Sequence, residues 1–300
     1  MTAPAAGETS QTDRPGPPPV HRRPRFTPTA VGFYAVIVLL SVWLLFPIYV
    51  IFLLAFTPTK FSIDAARPDL LPIHFTWQNL IYGLTNSNVP FLPSMYLSLE
   101  IAFIVGFLAL AIGIPTAYGL SRLPPVLAFG LTTVMFIVNM LPSITIAIPI
   151  TVPFIKAGLY GSPISIALTQ ELLALPVTVF LLVGAFQGLP KDLENQARVD
   201  GAGRMRAIFG NLVPLIVPAL VASFLLAWML SWDESTFALI LYNPATPTLP
   251  VQIFLTVTGR GGDPVVGVAF SFVATVPVII LVAILQKYLK GEDLAAGVRG

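Results

Sequence analysis

A small group of polar side chains lies inside or at the ends of long apolar runs of the sequence. The group consists of Glu100, Asn139, Glu171, Asp233 and Glu234. An ionisable side chain is costly in the hydrocarbon core of a membrane, and such residues commonly mark solute or ion pathways. A structural role is also open for each, because Glu100 and Asp233 can reach water at a membrane face and Glu171 can hydrogen-bond a neighbouring helix. The sequence therefore provides five candidate pathway residues without choosing between these roles.

Several kinds of chemistry are excluded by what the chain lacks. It has no cysteine, so disulfides, thiolate metal sites and cysteine nucleophiles cannot occur. Its two histidines, His21 and His74, lie outside the apolar runs and are too few for a histidine metal cluster. No lysine follows a glycine, which rules out a G-x-x-x-x-G-K-[ST] phosphate loop. We therefore expect that this chain is not an enzyme and holds no cofactor. If ATP and Mg²⁺ drive its function, another chain has to bind them.

The composition is that of a membrane protein. Hydrophobic residues make up 56% of the 300 positions and charged residues only 10%, against about 25% charged residues in soluble domains. Six apolar segments are each long enough to cross a hydrocarbon core of about 30 Å; they cover residues 30–56, 93–119, 126–153, 163–188, 213–241 and 264–286. Prolines inside them are tolerated in a helix bundle and predict kinks. The fold class predicted is an all-α polytopic membrane protein with six transmembrane helices.

The polar ends and the positive charges predict the domain organisation. Residues 1–29 are expected to form a disordered tail that is not a cleaved signal peptide, residues 30–290 the membrane domain and residues 291–300 a second tail. With the N-terminus inside, 12 of the 16 lysines and arginines fall on the inner side. This distribution follows the positive-inside rule and predicts that both termini are cytoplasmic. The larger outer loops, 57–92 and 242–262, are then available to a soluble partner.

The polar loop at residues 189–214 is the most informative part of the sequence. Pro190 favours a helix start, and Gly201 allows a turn in the left-handed region. A first short helix would carry Leu193 and Ala197 on one face, and a second would carry on one face Met205, Ile208, Phe209 and Leu212. Two amphipathic helices joined at a glycine can form a knob for a cytoplasmic partner or can rest on lipid headgroups. The pattern alone does not separate these two possibilities.

The 189–214 loop resembles the cytoplasmic loop of binding-protein-dependent ATP-binding-cassette (ABC) permeases. That family has a Glu-Ala-Ala triplet, then an Asp-Gly pair and later a Leu-Pro. Here these positions are occupied by Asn195, Gln196 and Ala197, by Asp200 and Gly201 with Ala202 after them, and by Val213 and Pro214. Asn195 stands where Glu is usual, and the question whether Glu194, one position early, substitutes for that acid is open. The resemblance implies that residues 194–197 and 200–202 couple the chain to an ATPase.

Four further segments are similar to the maltose and related sugar permeases. They are FTWQNL at 75–80, AYGLSRL at 117–123, SWDESTFAL at 231–239 and the C-terminal LAAGVRG at 294–300. In that family the C-terminus reaches the ATPase pair, which implies an ATPase contact through Gly297, Val298, Arg299 and Gly300. Each segment alone is a weak signal, whereas together and in order they cover most of the chain beyond the first tail.

The resemblance implies a type I ABC importer permease fold and, as the function, the role of permease subunit in an ATP-driven importer. Its partners would be a second permease subunit, an ABC ATPase dimer, an extracytoplasmic solute-binding protein and the lipid bilayer, with no nucleic acid. The solute would be a carbohydrate or a sugar-like compound such as a disaccharide or a glycerol phosphate compound. In the maltose-type family the partner permease supplies most of the solute site, so a solute contact in this chain does not follow.

Three other functions fit the sequence less well. An ion-coupled secondary transporter predicts paired intramembrane acids or an internal repeat, and neither is found in the sequence. A polytopic membrane enzyme predicts clustered catalytic residues at a membrane face, which are also not found. A structural scaffold explains the helix bundle but leaves the 189–214 loop without a role.

Overall fold

The computed structural model describes residues 28–58, 71–85, 89–199, 201, 203–241, 246–258 and 263–289. Within these ranges the regular elements are helices, namely α1 Pro28–Ala55, α2 Gln78–Thr85, α3 Phe91–Ser121, α4 Pro125–Asn139, α5 Ser143–Lys156, α6 Pro163–Gln187, α7 Lys191–Val199, α8 Arg204–Arg206, a π-helix Ala207–Leu212, α9 Val213–Leu215, α10 Val217–Asp233, α11 Thr236–Leu241, α12 Leu249–Thr258 and α13 Pro264–Leu289. Asp200, Ala202, nearly all of the tail 1–29, the tail 291–300 and, with it, Gly297, Val298, Arg299 and Gly300 lie outside the described residues.

Four of the six predicted spans are single helices in the structure. Helices α1, α3, α6 and α13 are long and apolar enough to cross a membrane, and their ends lie within three residues of the predicted ends. Residues up to Ile48 form a unit of their own, and its described side chains, from residue 32 onward, are all exposed. An exposed apolar helix surface is suited to lipid.

The other two predicted spans are divided by sharp bends. Segment 126–153 consists of α4 and α5, which meet at 88°, and segment 213–241 contains the bend of 83° between Ala207–Leu215 and α10. Pro142 immediately precedes α5 and Pro218 lies in the first turn of α10. Proline has no N–H to donate, and its ring clashes with the preceding helical turn. The predicted total of six spans is reached when each bent pair counts as one span.

Each of the two long segments predicted as loops contains a short helix. Helix α12 lies within 242–262, and its first turn is capped by Ser98 of α3, whose Oγ accepts a hydrogen bond of 2.7 Å from the Leu249 N–H. Helix α2 lies within 57–92, where Asn79 Nδ2 donates to the carbonyls of Ala55 and Thr57 at 3.1 and 2.9 Å. Asn79 thereby satisfies carbonyls that the end of α1 leaves open.

Small residues let α3, α6 and α10 pack closely around one core. Ala109 of α3, Ala174 of α6 and Ala227 of α10 are fully buried together. A Cβ atom on Gly106 would lie 2.6 Å from the ring of Phe224 in α10, and one on Gly113 would lie 2.8 Å from Thr178 in α6. Glycine and alanine at such contacts allow helix backbones to approach each other in membranes. Helix α3 is therefore in tight contact with both of its main neighbours.

Candidate functional site

Helix α7, in the 189–214 loop, packs one face against the helix bundle. Ala197 is 2% exposed, and Leu193 packs against a buried cluster that includes Tyr118 of α3, Phe186 of α6 and Leu212 of the π-helix. The side chains of Asp192, Asn195, Gln196 and Val199 on α7 are exposed. The amphipathic face predicted for the first short helix is confirmed by these contacts. The helix thus presents a polar surface that no described part of the chain covers.

Glu194 is the polar contact between α7 and α3. The Tyr118 hydroxyl donates a hydrogen bond of 2.6 Å to Glu194 Oε1, and Arg122 Nη2 lies 3.1 Å from Glu194 Oε2. The guanidinium carbon of Arg122 lies 5.2 Å from the centre of the Tyr118 ring. Tyr118 and Arg122 are four residues apart and share one face of α3. We call these three residues the α3–α7 joint.

The joint accounts for both carboxylate oxygens of Glu194. One oxygen contacts Tyr118 and the other contacts Arg122, and the side chain is only 16% exposed. Asn195, at the triplet's acidic position, is exposed. Glu194 therefore faces the bundle, and its substitution for the missing acid stays a prediction.

Gly201 separates α7 from the helices that follow it. Its φ is +82°, in the left-handed region that glycine adopts without strain. On either side of the turn, apolar side chains are open to the surroundings, with Val199 87% exposed and Met205 63% exposed. An exposed amphipathic surface of this kind is suited to a protein partner or to lipid headgroups. The helix-glycine-helix arrangement predicted from the sequence is present.

The helix after Gly201 differs from the predicted amphipathic helix. Ile208 and Leu212 are buried as expected, whereas Met205 and Phe209, predicted on the same face, are exposed. The reason is the π-helix, in which hydrogen bonds span five residues and the turn is wider than in an α-helix. The predicted single apolar face is wrong for these two residues.

Glu234 follows the last residue of α10, and hydrogen bonds to other parts of the chain hold its carboxylate in place. Its carboxylate accepts hydrogen bonds from the N–H groups of Phe237 and Ala238 at 2.9 and 3.2 Å, which caps α11. Gln170 of α6 donates to the same carboxylate at 3.3 Å and accepts from the Ser231 hydroxyl at 2.5 Å. Sequence reasoning missed Gln170 and Ser231, because uncharged side chains in apolar helices give a weak signal. These contacts join α6 to the end of α10.

Asp233 is exposed beside Glu234 and lines an open cleft. The cleft has a volume of about 520 Å³ and is lined by Leu226, Met229, Leu230, Trp232, Asp233, Glu234 and Val278. The exposed residues of α10 at 226, 229, 230 and 233 follow helical spacing and form one stripe. An aromatic ring and carboxylates in an otherwise apolar cleft are groups that can orient a small polar ligand.

The remaining three candidates make no hydrogen bonds to one another among the described residues. Glu171 of α6 is buried and neither carboxylate oxygen has a hydrogen-bond partner among the described residues. Asn139, the last residue of α4, donates to the Leu173 carbonyl at 3.4 Å, and its Oδ1 has no partner among the described residues. Glu100 is exposed on α3. No hydrogen bond joins any two of the five candidates in the described ranges, so their pathway role stays a prediction.

Comparisons with known proteins support a transport role. Residues 109–291 match a family described as "Binding-protein-dependent transport system inner membrane component". The inner membrane ABC transporter permease protein YcjP of Escherichia coli is 29% identical over 91% of this chain and 98% of its own length. The sulfoquinovosyl glycerol transport system permease protein SmoH of Agrobacterium fabrum is 30% identical over 71% of this chain and 75% of its own. The trehalose/maltose transport system permease protein MalG of Thermococcus litoralis is 26% identical over 88% and 94%.

A solved structure has the same fold. It is a chain of a bacterial ABC transporter involved in the import of the acidic polysaccharide alginate. The TM-score is 0.67 at 22% identity, and the match covers 89% of this chain and 99% of the other. At this identity the likeness establishes the fold and not the solute.

Proposed function

This chain belongs to the family of inner membrane components of binding-protein-dependent transport systems, and from that membership we propose that it is the permease subunit through which an ATP-driven importer moves a carbohydrate across the cytoplasmic membrane. Its fold is that of a type I ABC importer permease. The observation that carries the proposal is the 189–214 loop, with α7 held against the bundle and an exposed turn at Gly201. The chain forms the pathway, and its energy comes from other subunits.

The proposed assembly contains a second permease subunit, two ABC ATPase subunits and an extracytoplasmic solute-binding protein. The ATPase subunits bind ATP and Mg²⁺, since this chain has no phosphate-binding loop. The exposed surface around Asn195, Gln196 and Gly201 docks on the ATPase, with Asp200 and Ala202 beside it. The C-terminal residues 297–300 make a second contact with the ATPase. Closure of the ATPase dimer on ATP then moves the loop, and the bundle alternates between two states.

The proposed solute is a carbohydrate because of the substrates that the relatives' names carry. These names include sulfoquinovosyl glycerol and trehalose/maltose, and the structural neighbour serves a polysaccharide. In this chain the cleft beside Trp232 and Asp233 is the part that a solute would meet. Specificity is expected to reside mainly in the solute-binding protein, whose ligand a thermal-shift screen of sugars would identify.

Purification of the chain from its own membranes in mild detergent tests the assembly. We expect an ABC ATPase and a second polytopic permease to co-purify with it in a stable complex. In proteoliposomes that also receive the solute-binding protein, solute uptake should require hydrolysable ATP. Uptake driven by an ion gradient without an ATPase chain would instead support a secondary transporter and contradict the proposal.

Both termini and the 189–214 loop are proposed to be cytoplasmic, in line with the excess of lysine and arginine on that side. The cysteine-free sequence makes this testable with single cysteines and a membrane-impermeant maleimide. Val199→Cys should react only after the cells are permeabilised, whereas Leu71→Cys, also exposed, should react in intact spheroplasts. The reverse labelling pattern would contradict the orientation and the ATPase contact together.

A further inference from the structure

Helix α7 is attached to the bundle in three ways. The chain connects it to the end of α6 through residues 188–190, and Leu193 packs against buried residues of the bundle. The third attachment is the α3–α7 joint, in which Tyr118 lies 76 positions before Glu194. Apolar packing has no preferred direction, whereas a carboxylate that contacts both a phenol hydroxyl and a guanidinium has one. The joint is thus the attachment that fixes the direction of α7 relative to α3.

The surroundings of the joint fix its geometry. The Tyr118 ring lies edge-on to Phe186 of α6, with ring centres 5.8 Å apart, and the tyrosine is 4% exposed. The side chains of Arg122 and Glu194 are only 18% and 16% exposed. An ion pair that is largely shielded from water and shares its carboxylate with a phenol is stronger than a pair on an open surface. The contact therefore holds α7 and the end of α3 in one orientation.

We infer that Glu194 is a positioning residue that transmits the movement of α7 to α3, so that α3 follows the ATPase through this contact. The inference rests on the proposed function, because it assumes that an ATPase moves α7. Helix α3 packs at Gly106 directly against the Phe224 ring of α10 and at Gly113 directly against Thr178 of α6. Closely packed interiors transmit displacement. Displacement of α3 therefore reaches both neighbours.

Removal of the Glu194 charge should separate ATP hydrolysis from transport. In Glu194→Gln the side chain keeps its size and loses the ion pair with Arg122. The reconstituted complete importer with this variant should hydrolyse ATP at a rate close to that of the wild type, while solute moved per ATP falls about tenfold. Lys156→Gln is the control, because it removes a charge from an exposed side chain outside the 189–214 loop and should leave the ratio unchanged. Tyr118→Phe removes the hydroxyl that donates to Glu194, keeps the ion pair with Arg122 and should lower the ratio by a smaller factor.

A distance measurement distinguishes transmission from a general loss of structure. Spin labels on Gly119→Cys and Asp192→Cys, both exposed, would report the separation of α3 and α7 by pulsed electron spin resonance. With intact Glu194 the distance should be the same with and without ATP, because the two helices move together. With Glu194→Gln the distance should change or broaden when ATP is added.

The outcomes separate failure of this inference from failure of the proposed function. If the wild-type complex shows no ATP-dependent uptake, the proposed function fails. If it does, and Glu194→Gln retains the wild-type ratio of solute to ATP and an unchanged label distance, the inference is overturned. If Glu194→Gln does not assemble, Tyr118→Phe carries the same two measurements, and a wild-type ratio in that variant overturns the inference.

Discussion

Replacement of Gly201 with valine is expected to reduce ATP-driven uptake about tenfold or more while the chain still inserts and folds. The φ of +82° at this residue is strained for any β-branched side chain, at a cost of about 1–3 kcal/mol. No atom of the described residues lies within 4 Å of the position that a Cβ would take, so the effect comes from the backbone and not from a clash. The turn between α7 and Arg204–Arg206 would open, and the surface proposed to dock on the ATPase would lose its shape. The measurement is solute uptake and ATP hydrolysis in the reconstituted complex.

Two variants control for the effect of the Gly201 substitution. Gly203→Val introduces the same side chain into the same loop, where φ is not positive and a Cβ also meets nothing within 4 Å. Gly201→Asn keeps a residue that tolerates the left-handed region. Both should retain most of the uptake. Uptake at the wild-type level in Gly201→Val would show that the turn is not needed for coupling.

The sequence predicted the number of spans but not their course. A hydropathy pattern reports how many apolar residues follow one another and carries no information on direction. Pro142 and Pro218 lie at the two sharp bends, whereas Pro115 and Pro176 lie inside continuous helices. Tertiary contacts decide which proline breaks a helix, since neighbouring helices can satisfy the freed carbonyls. Helix α12 was predicted as part of a loop for a different reason, which is that its ten residues are too few to span a membrane.

The sequence predicted the local features of the candidate site and missed the contacts between residues far apart in the chain. The turn at Gly201 and the buried face of α7 follow from residue types a few positions apart. The partners of Glu194 lie on α3, and no local pattern points from one to the other. The i, i+4 spacing of Tyr118 and Arg122 at the end of an apolar segment was the available signal. It shows two donors on one face without identifying the acid that they bind.

The close contact between α3 and α10 gives the second large effect, in the variant Gly106→Leu. A Cβ on Gly106 would lie 2.6 Å from Cε2 of Phe224, and the Phe224 ring has Phe107 at 5.1 Å and Phe103 at 6.2 Å between ring centres. Rotation of the Phe224 ring away from a new side chain would therefore displace these two rings. Overpacking of this kind costs about 1–3 kcal/mol or more.

We expect Gly106→Leu to lower the midpoint of thermal unfolding in detergent by about 2–12 °C, which follows from a shift of about 2–4 °C per kcal/mol in chains of about 150–250 residues. Gly119→Leu is the matched control on the same helix, because Gly119 is exposed and a Cβ there meets nothing within 4 Å. Its midpoint should stay near that of the wild type. Equal midpoints for the two variants would mean that α3 and α10 are not in close contact at Gly106, and α3 could then not pass its movement to α10 at that point.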